Sequence, residues 1–586
     1  MHAQRVVGPA VAAGVLAMGV GAALGGQGPA QVVEQSREVL ATSGFGRPIE
    51  ILRLHHAGGS GKPALLVVAG IDPRQAGSTE VAQGMALRLS KAGEALEHGD
   101  VYIVPRLNPD GFEGDPAHPH VRPERASNPA GANTIDADRD GRFNEDPPVD
   151  LDGDGRILQM RIKNPPPGIG LKAEWIAEDA DPRLMRRADH AKGERPMYAL
   201  LEESRDADGD GLFGEDGFDG VELDRNFPYH WPEFRDEAGK YPLSEPETRA
   251  LAEWMQAHDE LAAVLVLSPS DNLVNTPPGG KMDETGAAPA TNSVLDADRG
   301  VYERVGEKFK EITRQKEAPT RDNEGTLQGW AYAERGIWSF STPGWVRPDQ
   351  MKDADADKAD AKKEAGEEHH EGTPGGDAAK ASGDKPRDDQ KQPKRERVDS
   401  DDGKWLALSD ARATAGKAAG FVDWRPFKHP QLGDVEIGGF VPGYRFSIPP
   451  DEIDRVADEQ TRFVADLLGR LARLAVRPPR VERLGQGVWR VSVEAVNEGA
   501  WPTRAAMGVK VHRLPPTRWT IGVDRKRILA GERAQRSDSI AGGDSLEGTW
   551  TITGSDGETL KATLHSPECG DQDVEIKLDA STEAKP

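Results

Sequence analysis

The chain has 586 residues, a formal net charge of −25 and an isoelectric point near 5.1. That length allows two or more domains with full cores, and the acidity, with no long basic stripe, excludes a general nucleic-acid-binding role. Its one cysteine, Cys569, excludes an intramolecular disulfide framework.

Residues 1–30 carry one arginine, Arg5, followed by an uncharged Gly- and Ala-rich run through Gly26. This is the layout of a signal peptide, with small residues for cleavage near Ala22, Ala23 or Ala30. Export to the periplasm, the cell envelope or the medium is expected, with a retained membrane anchor as the alternative. No other apolar stretch approaches the ~20 residues of a membrane span, so no membrane association is expected after cleavage. Leu65–Ala69 reads as a buried strand that ends in Gly70-Ile-Asp-Pro-Arg-Gln75. Ser78 is placed to cap a helix with Val81, Met85 and Leu89 on its apolar face. Asp100–Pro105 is the next strand, and Asn108-Pro-Asp-Gly a turn.

Three acidic loops follow. They are Asp136-x-Asp138-x-Asp140-Gly, Asp150-x-Asp152-Gly-Asp154-Gly and Asp206-x-Asp208-Gly-Asp210-Gly. Carboxylates at positions 1, 3 and 5 converge when a glycine at position 6 turns the chain, and such hard oxygen ligands suit calcium. The twelfth position, glutamate in an EF-hand, is Pro147 in the first loop and Gly217 in the third. Asp146 and Asp216, one residue earlier, are the expected closing ligands. The bland alternative is a solvated acidic surface. If calcium binds, it locks a long insertion in place.

Ser244-Glu-Pro-Glu247 predicts a capping box opening a helix through Trp254 and Met255. Leu261–Leu267 and Trp338–Ser341 are further buried strands. Alternating β and α segments predict an α/β fold, a mixed sheet with helices on both faces. Residues 351–404 are nearly devoid of large apolar side chains and are expected to be a disordered insertion. Trp405 and Phe421–Trp424 resume folded sequence, and Asp451–Leu474 reads as an amphipathic helix closing a domain of residues 31–475, with 113–217 inserted. Pro478-Pro479 ends it. Val481–Val496 and Thr549–Thr553 alternate about a turn at Asn497-Glu-Gly499, which predicts an all-β sandwich over 480–586.

At Asn108-Pro-Asp-Gly-Phe112, Val221-Glu-Leu-Asp-Arg-Asn-Phe227, Ser244-Glu-Pro-Glu-Thr248 and Trp330-Ala-Tyr…Gly336-Ile337 the chain resembles the zinc carboxypeptidase family (carboxypeptidase A/B-like). The resemblance covers roughly residues 45–112, 218–350 and 420–475. It implies a mainly parallel mixed sheet, a site at its carboxyl edge, zinc, and hydrolysis at the C-terminus of a peptide. The family's metal motif, His-x-x-Glu after Gly-Ile, falls on Asp72-Pro-Arg-Gln75. Its third ligand, a histidine ending a strand, falls on Ser268, and its catalytic glutamate on Pro343 or Gly344. No tyrosine lies between Tyr302 and Tyr332, where the family's site tyrosine belongs. A neutral amide and a hydroxyl are poor zinc donors, so the family's water has neither metal nor base. Zinc is therefore expected of the family and not of this chain.

The family's substrate-binding arginines fall on Arg74 and Arg225, with Arg122 or Arg125 as a further one. Asp224 stands where the family has asparagine and would repel a carboxylate. A pairing of Arg225 with Asp224 or Glu222 is the alternative to substrate binding. Three readings follow. One is an exported, catalytically degenerate homologue that binds a peptide C-terminus or a partner protein. Another is an active metallocarboxypeptidase with relocated ligands, fed by His118-Pro-His120. The third is a calcium-stabilised structural envelope protein. His55-His56 reads as a strand-turn pair.

Overall fold

The computed structural model describes residues 33–57, 63–113, 127–128, 146–167, 170–214, 220–282, 289–290, 292–352 and 400–579. Residues 1–30, expected to be a signal peptide, the Asp136/Asp138/Asp140 loop, Asp216, His118, His120, Arg122, Arg125 and residues 353–399 lie outside them. Two compact units emerge: Met1–Asn144 with Phe218–Val346 and Phe446–Pro586, and Glu145–Gly217 with Arg347–Arg445. Residues 401–445, grouped by sequence with the peptidase-like domain, thus belong with the acidic-loop insertion.

The first unit is built on a six-stranded sheet. Its strands are β1 (Val33–Thr42), β2 (Pro48–His56), β3 (Ala64–Val68), β4 (Asp100–Val104), β5 (Leu261–Leu267) and β6 (Trp338–Thr342). The spatial order is β1-β2-β4-β3-β5-β6. β1, β2 and β4 pair antiparallel, whereas β4, β3, β5 and β6 run parallel. β3 and β4 are buried along their whole length and β5 nearly so, as expected where helices cover both faces. On one face Leu66, Val68, Val264 and Val266 meet Leu251, Ala252 and Met255 of the helix Pro246–Ala257. The helices α1 (Ser78–Lys91) and Ile453–Arg470 pack closely enough that a Cβ on Gly84 would lie 3.0 Å from that of Ala457.

Two helix starts differ from expectation. The residue capping α1 is Gly77, at φ 92°, and Ser78 instead donates its hydroxyl to the Gln75 carbonyl at 2.9 Å. A side chain at Gly77 would press on Ile448 at 3.0 Å, so the tight entry excludes a Ser or Asp cap. The capping box at Ser244 does not form. Its hydroxyl goes to Glu245 at 2.8 Å, and Glu247 accepts the distant Gly44 amide at 3.1 Å. Pro246 does open that helix.

The C-terminal part of this unit is all-β. One sheet runs 474–476, 488–497, 545–553, 528–530, with 480–485 also paired to 488–497, and the other runs 534–537, 517–521, 559–565, 572–577. Trp489, Trp519 and Trp550 are fully buried between them, each indole N–H given to a backbone carbonyl. The long helix stops at Arg470, short of Leu474, which opens the first sandwich strand. The alternating segment 481–496 is a hairpin that turns at Gln486-Gly487. Buried Asp298 ties the two parts together by accepting the Tyr332 hydroxyl at 2.8 Å and the Ala506 and Met507 amides at 2.8 and 3.0 Å.

The second unit is an antiparallel sheet in the order 421–429, 433–440, 159–163, 198–202, 175–177, 185–187. Its core holds Leu158, Met160, Ile162, Val435 and Ile437. Among the described residues, no helix is long and apolar enough to cross a membrane.

Candidate functional site

Parallel strands end together where an α/β sheet places its chemistry. Here Val68 pairs with Val266, and Leu267 with Thr342, so the chain leaves β3, β5 and β6 side by side. β3 leads to Asp72 and Gln75, β5 to Ser268, and β6 to Pro343; all four residues are buried. The four positions that sequence reasoning singled out are therefore brought to one edge.

Each is already engaged. Arg74 grips Asp72 with two nitrogens, Nε to Oδ1 at 3.0 Å and Nη2 to Oδ2 at 2.7 Å, and its backbone N–H adds 2.9 Å to Oδ1. Arg74 also stands 3.4 Å from Glu222, which pairs closely with Arg321. Arg321 lies 4.0 Å from Asp72. Gln75 donates its amide to the Pro343 carbonyl at 2.8 Å, and its buried Oε1 has no hydrogen-bond partner. Ser268 and Ser341 share a hydroxyl hydrogen bond at 3.1 Å. Among the described residues the edge carries carboxylates and guanidiniums in alternation, with no imidazole. Burial alone would depress the Arg74 guanidinium, but Asp72 and Glu222 outweigh it and raise its pKa.

Asp224 lies beneath this cluster, 4 % exposed. Burial pushes its carboxyl up to about 6, against the opposing pull of Arg321, the Leu327 amide, Ser268 and Arg225. Its Oδ1 accepts the Leu327 N–H at 3.0 Å, so it fixes the start of the helix Leu327–Ala333. Arg225 is also 4 % exposed. It pairs closely with Asp322 and donates to the Glu324 carbonyl at 2.9 Å, while Glu222 is 3.8 Å away. The loop that receives it turns at Gly325, φ 66°, where a Cβ would sit 2.2 Å from the Arg225 carbonyl oxygen. Only glycine permits that approach.

The two arginines expected to face a peptide carboxylate thus spend their guanidiniums on protein acids, and Asp224 is a local brace. Sequence reasoning named Arg225, Arg74 and Glu222 but missed Arg321 and Asp322. Those two lie in a short polar stretch, Thr320-Arg-Asp-Asn323, with no periodicity to mark it.

These residues do not fit a zinc ion. Zinc needs three good nitrogen, sulfur or carboxylate donors and an open position. Of the three ligand positions only Asp72 is such a donor, and both its oxygens are held by Arg74. A zinc ion there would face Arg74 and Arg321 at close range.

In the second unit Asp150, Asp152 and Asp154 can bring oxygens within 4.8 Å of one another, and so can Asp206, Asp208 and Asp210. Asp146 joins the latter group, and its Oδ1 accepts the Ala207 N–H at 2.7 Å; the first loop, which it was expected to close, lies outside the described residues.

The sheet order, the strand-end site and the motif order define an α/β protein of metallopeptidase architecture. Residues 35–150 and 182–349 match the family model "Zinc carboxypeptidase". Residues 473–577 match a domain of unknown function, DUF8731. No curated protein matches the chain. Among solved structures, thrombin activatable fibrinolysis inhibitor is similar at 15% identity over 55% of this chain and 62% of that one, with a TM-score of 0.29. The bovine form, in complex with tick carboxypeptidase inhibitor, shows 15% identity over 52% of this chain and 78% of that one, TM-score 0.27. Carboxypeptidase A from Helicoverpa armigera shows 15% identity over 53% and 58%, TM-score 0.28. The chain therefore spans less than two thirds of the first of these.

Proposed function

We propose that the strand-end edge is a non-hydrolytic polypeptide-binding surface of an exported protein. The observation that carries this reading is the Asp72–Arg74–Glu222–Arg321 cluster, which fills with ion pairs the place where a zinc peptidase needs open donors. Its chemistry has consequences. With neither zinc nor a glutamate at Pro343, no group at this edge generates a hydroxide or takes its proton. What is retained is a surface with an exposed aromatic. Phe446 is 41% exposed and lies under the Arg74 guanidinium, 5.1 Å from it. The family match supports polypeptide as the ligand class, and the composition of residues 1–30 supports export. Calcium is the proposed resident ion of the aspartate loops, in a structural role.

Binding of fluorescent peptides, with mass spectrometry of the same mixtures, tests this. Free guanidiniums would favour a free C-terminus over its amide by about tenfold or more, since a charge-assisted bond contributes ~1.5–3 kcal/mol. Because Arg74 and Arg225 are committed to Asp72 and Asp322, the two forms should bind equally well, and both should stay intact. Shortened peptides, or a strong carboxylate preference erased by Arg225→Ala, would count against the proposal.

A further inference from the structure

The two described aspartate loops have the same internal wiring. Asp150 accepts the Gly153 and Gly155 amides at 2.7 and 2.8 Å, and Asp206 accepts those of Gly209 and Gly211 at 2.6 and 3.2 Å. Asp152 and Asp208 each accept the N–H two residues on, at 3.1 and 3.0 Å. The sequence alone gives no reason to rank them.

Their surroundings do. The Asp206 loop is joined by a fourth carboxylate, Asp146, which is 1% exposed. One of its oxygens holds the Ala207 amide; the other, Oδ2, is buried with no partner. An open carboxylate oxygen, buried beside three more carboxylates, carries a desolvation and repulsion cost that a bound cation removes. The Asp150 loop lacks this feature. Its buried neighbour, Glu203, has both oxygens occupied, by the Leu158 amide at 2.7 Å and the Leu151 amide at 2.9 Å. It also carries a cation of its own: Arg425 stands 2.8 Å from Asp154 and 3.5 Å from Asp152.

We infer that the Asp206–Asp208–Asp210 loop, closed by Asp146, is a calcium site, and that the Asp150–Asp152–Asp154 loop is not its equal because Arg425 serves as the cation there. This rests on the calcium reading above and assigns it to one loop. All four donors are hard oxygens, which suits calcium. Asp146 comes from a segment far away in sequence, so the ion joins two loops as well as closing a turn, and its binding stabilises the folded unit.

Calorimetric titration of the full chain with calcium tests the assignment. Asp208→Asn should remove one tightly bound ion per chain, and Asp146→Asn should weaken that ion at least about tenfold, equivalent to ~1.4 kcal/mol. Asp152→Asn should leave the tight ion in place. Arg425→Gln, at a half-exposed position, should add an ion that Asp152→Asn then takes away. If Asp152→Asn costs the wild-type chain as much calcium as Asp208→Asn does, or Arg425→Gln adds none, the ranking of the loops is wrong while the calcium reading stands. A chain that binds no calcium would overturn both.

Discussion

Replacing Arg74 with alanine should destabilise the first unit by about 3 kcal/mol, because it strands a buried carboxylate. Breaking a buried ion pair from one side typically costs ~3–5 kcal/mol. The Arg74 side chain is 22% exposed against 2% for Asp72, and Arg321 remains 4.0 Å away, which places the loss at the lower end. The cause is the charge on Asp72 and not the packing of Arg74. Asp72→Asn combined with Arg74→Ala should therefore recover most of the stability, leaving a deficit of about 1 kcal/mol for the lost hydrogen bonds. Urea unfolding of the two single variants and the double variant measures this. A double variant as unstable as the sum of the singles would mean that the pair is not coupled.

The first unit should also lose stability as the pH rises from about 4.5 to about 7. Burial pushes the Glu247 carboxyl up to about 7, with Glu245 and Asp110 adding to it and the amide of Gly44 opposing. An acid raised in this way keeps its proton in the native state after the unfolded chain has released it. Its stabilising contribution is complete below the unfolded pKa and is lost as the pH climbs through the folded one. At ~1.4 kcal/mol per unit, the loss from Glu247 alone is about 3 kcal/mol. Asp224, pushed up to about 6, adds a smaller loss centred at lower pH. Glu247→Gln should flatten the upper part of the profile and leave the lower part in place. An unchanged slope in that variant would mean that Glu247 ionises freely in the folded state.

Much of the fold was legible because periodicity and punctuation carried it. The runs at 65–69, 100–105, 261–267 and 338–341 are short, apolar and bounded by turn residues, and they became the four parallel strands. The sandwich was legible from alternation at 481–496 and 549–553. What was not legible was long-range. Strand 433–440, paired locally with 421–429, also pairs with 159–163 across more than 250 residues, and no local pattern announces such a partner. The caps at Ser78 and Ser244 failed for a similar reason: Ile448 and Gly44, both distant in sequence, decide those turns. At the site, the identities of Asp72, Gln75, Ser268 and Pro343 could be read from the motifs. The ion pairs that now hold Asp72 could not, since Arg321 reaches it from a stretch without pattern. Asp146 is a sharper case. Its spacing suggested the first loop, which lies outside the described residues, and no local pattern announces that the fold brings it to the third.

The central claim is that ion pairs occupy the place where a peptidase would hold zinc, and the zinc content of the protein tests it most directly. Full-length chain prepared in the presence of zinc and freed of excess ion by gel filtration should retain far less than one zinc per chain. It should release no C-terminal residues from peptides, with or without a chelator. One zinc per chain, lost to a chelator together with a carboxypeptidase activity, would contradict the account.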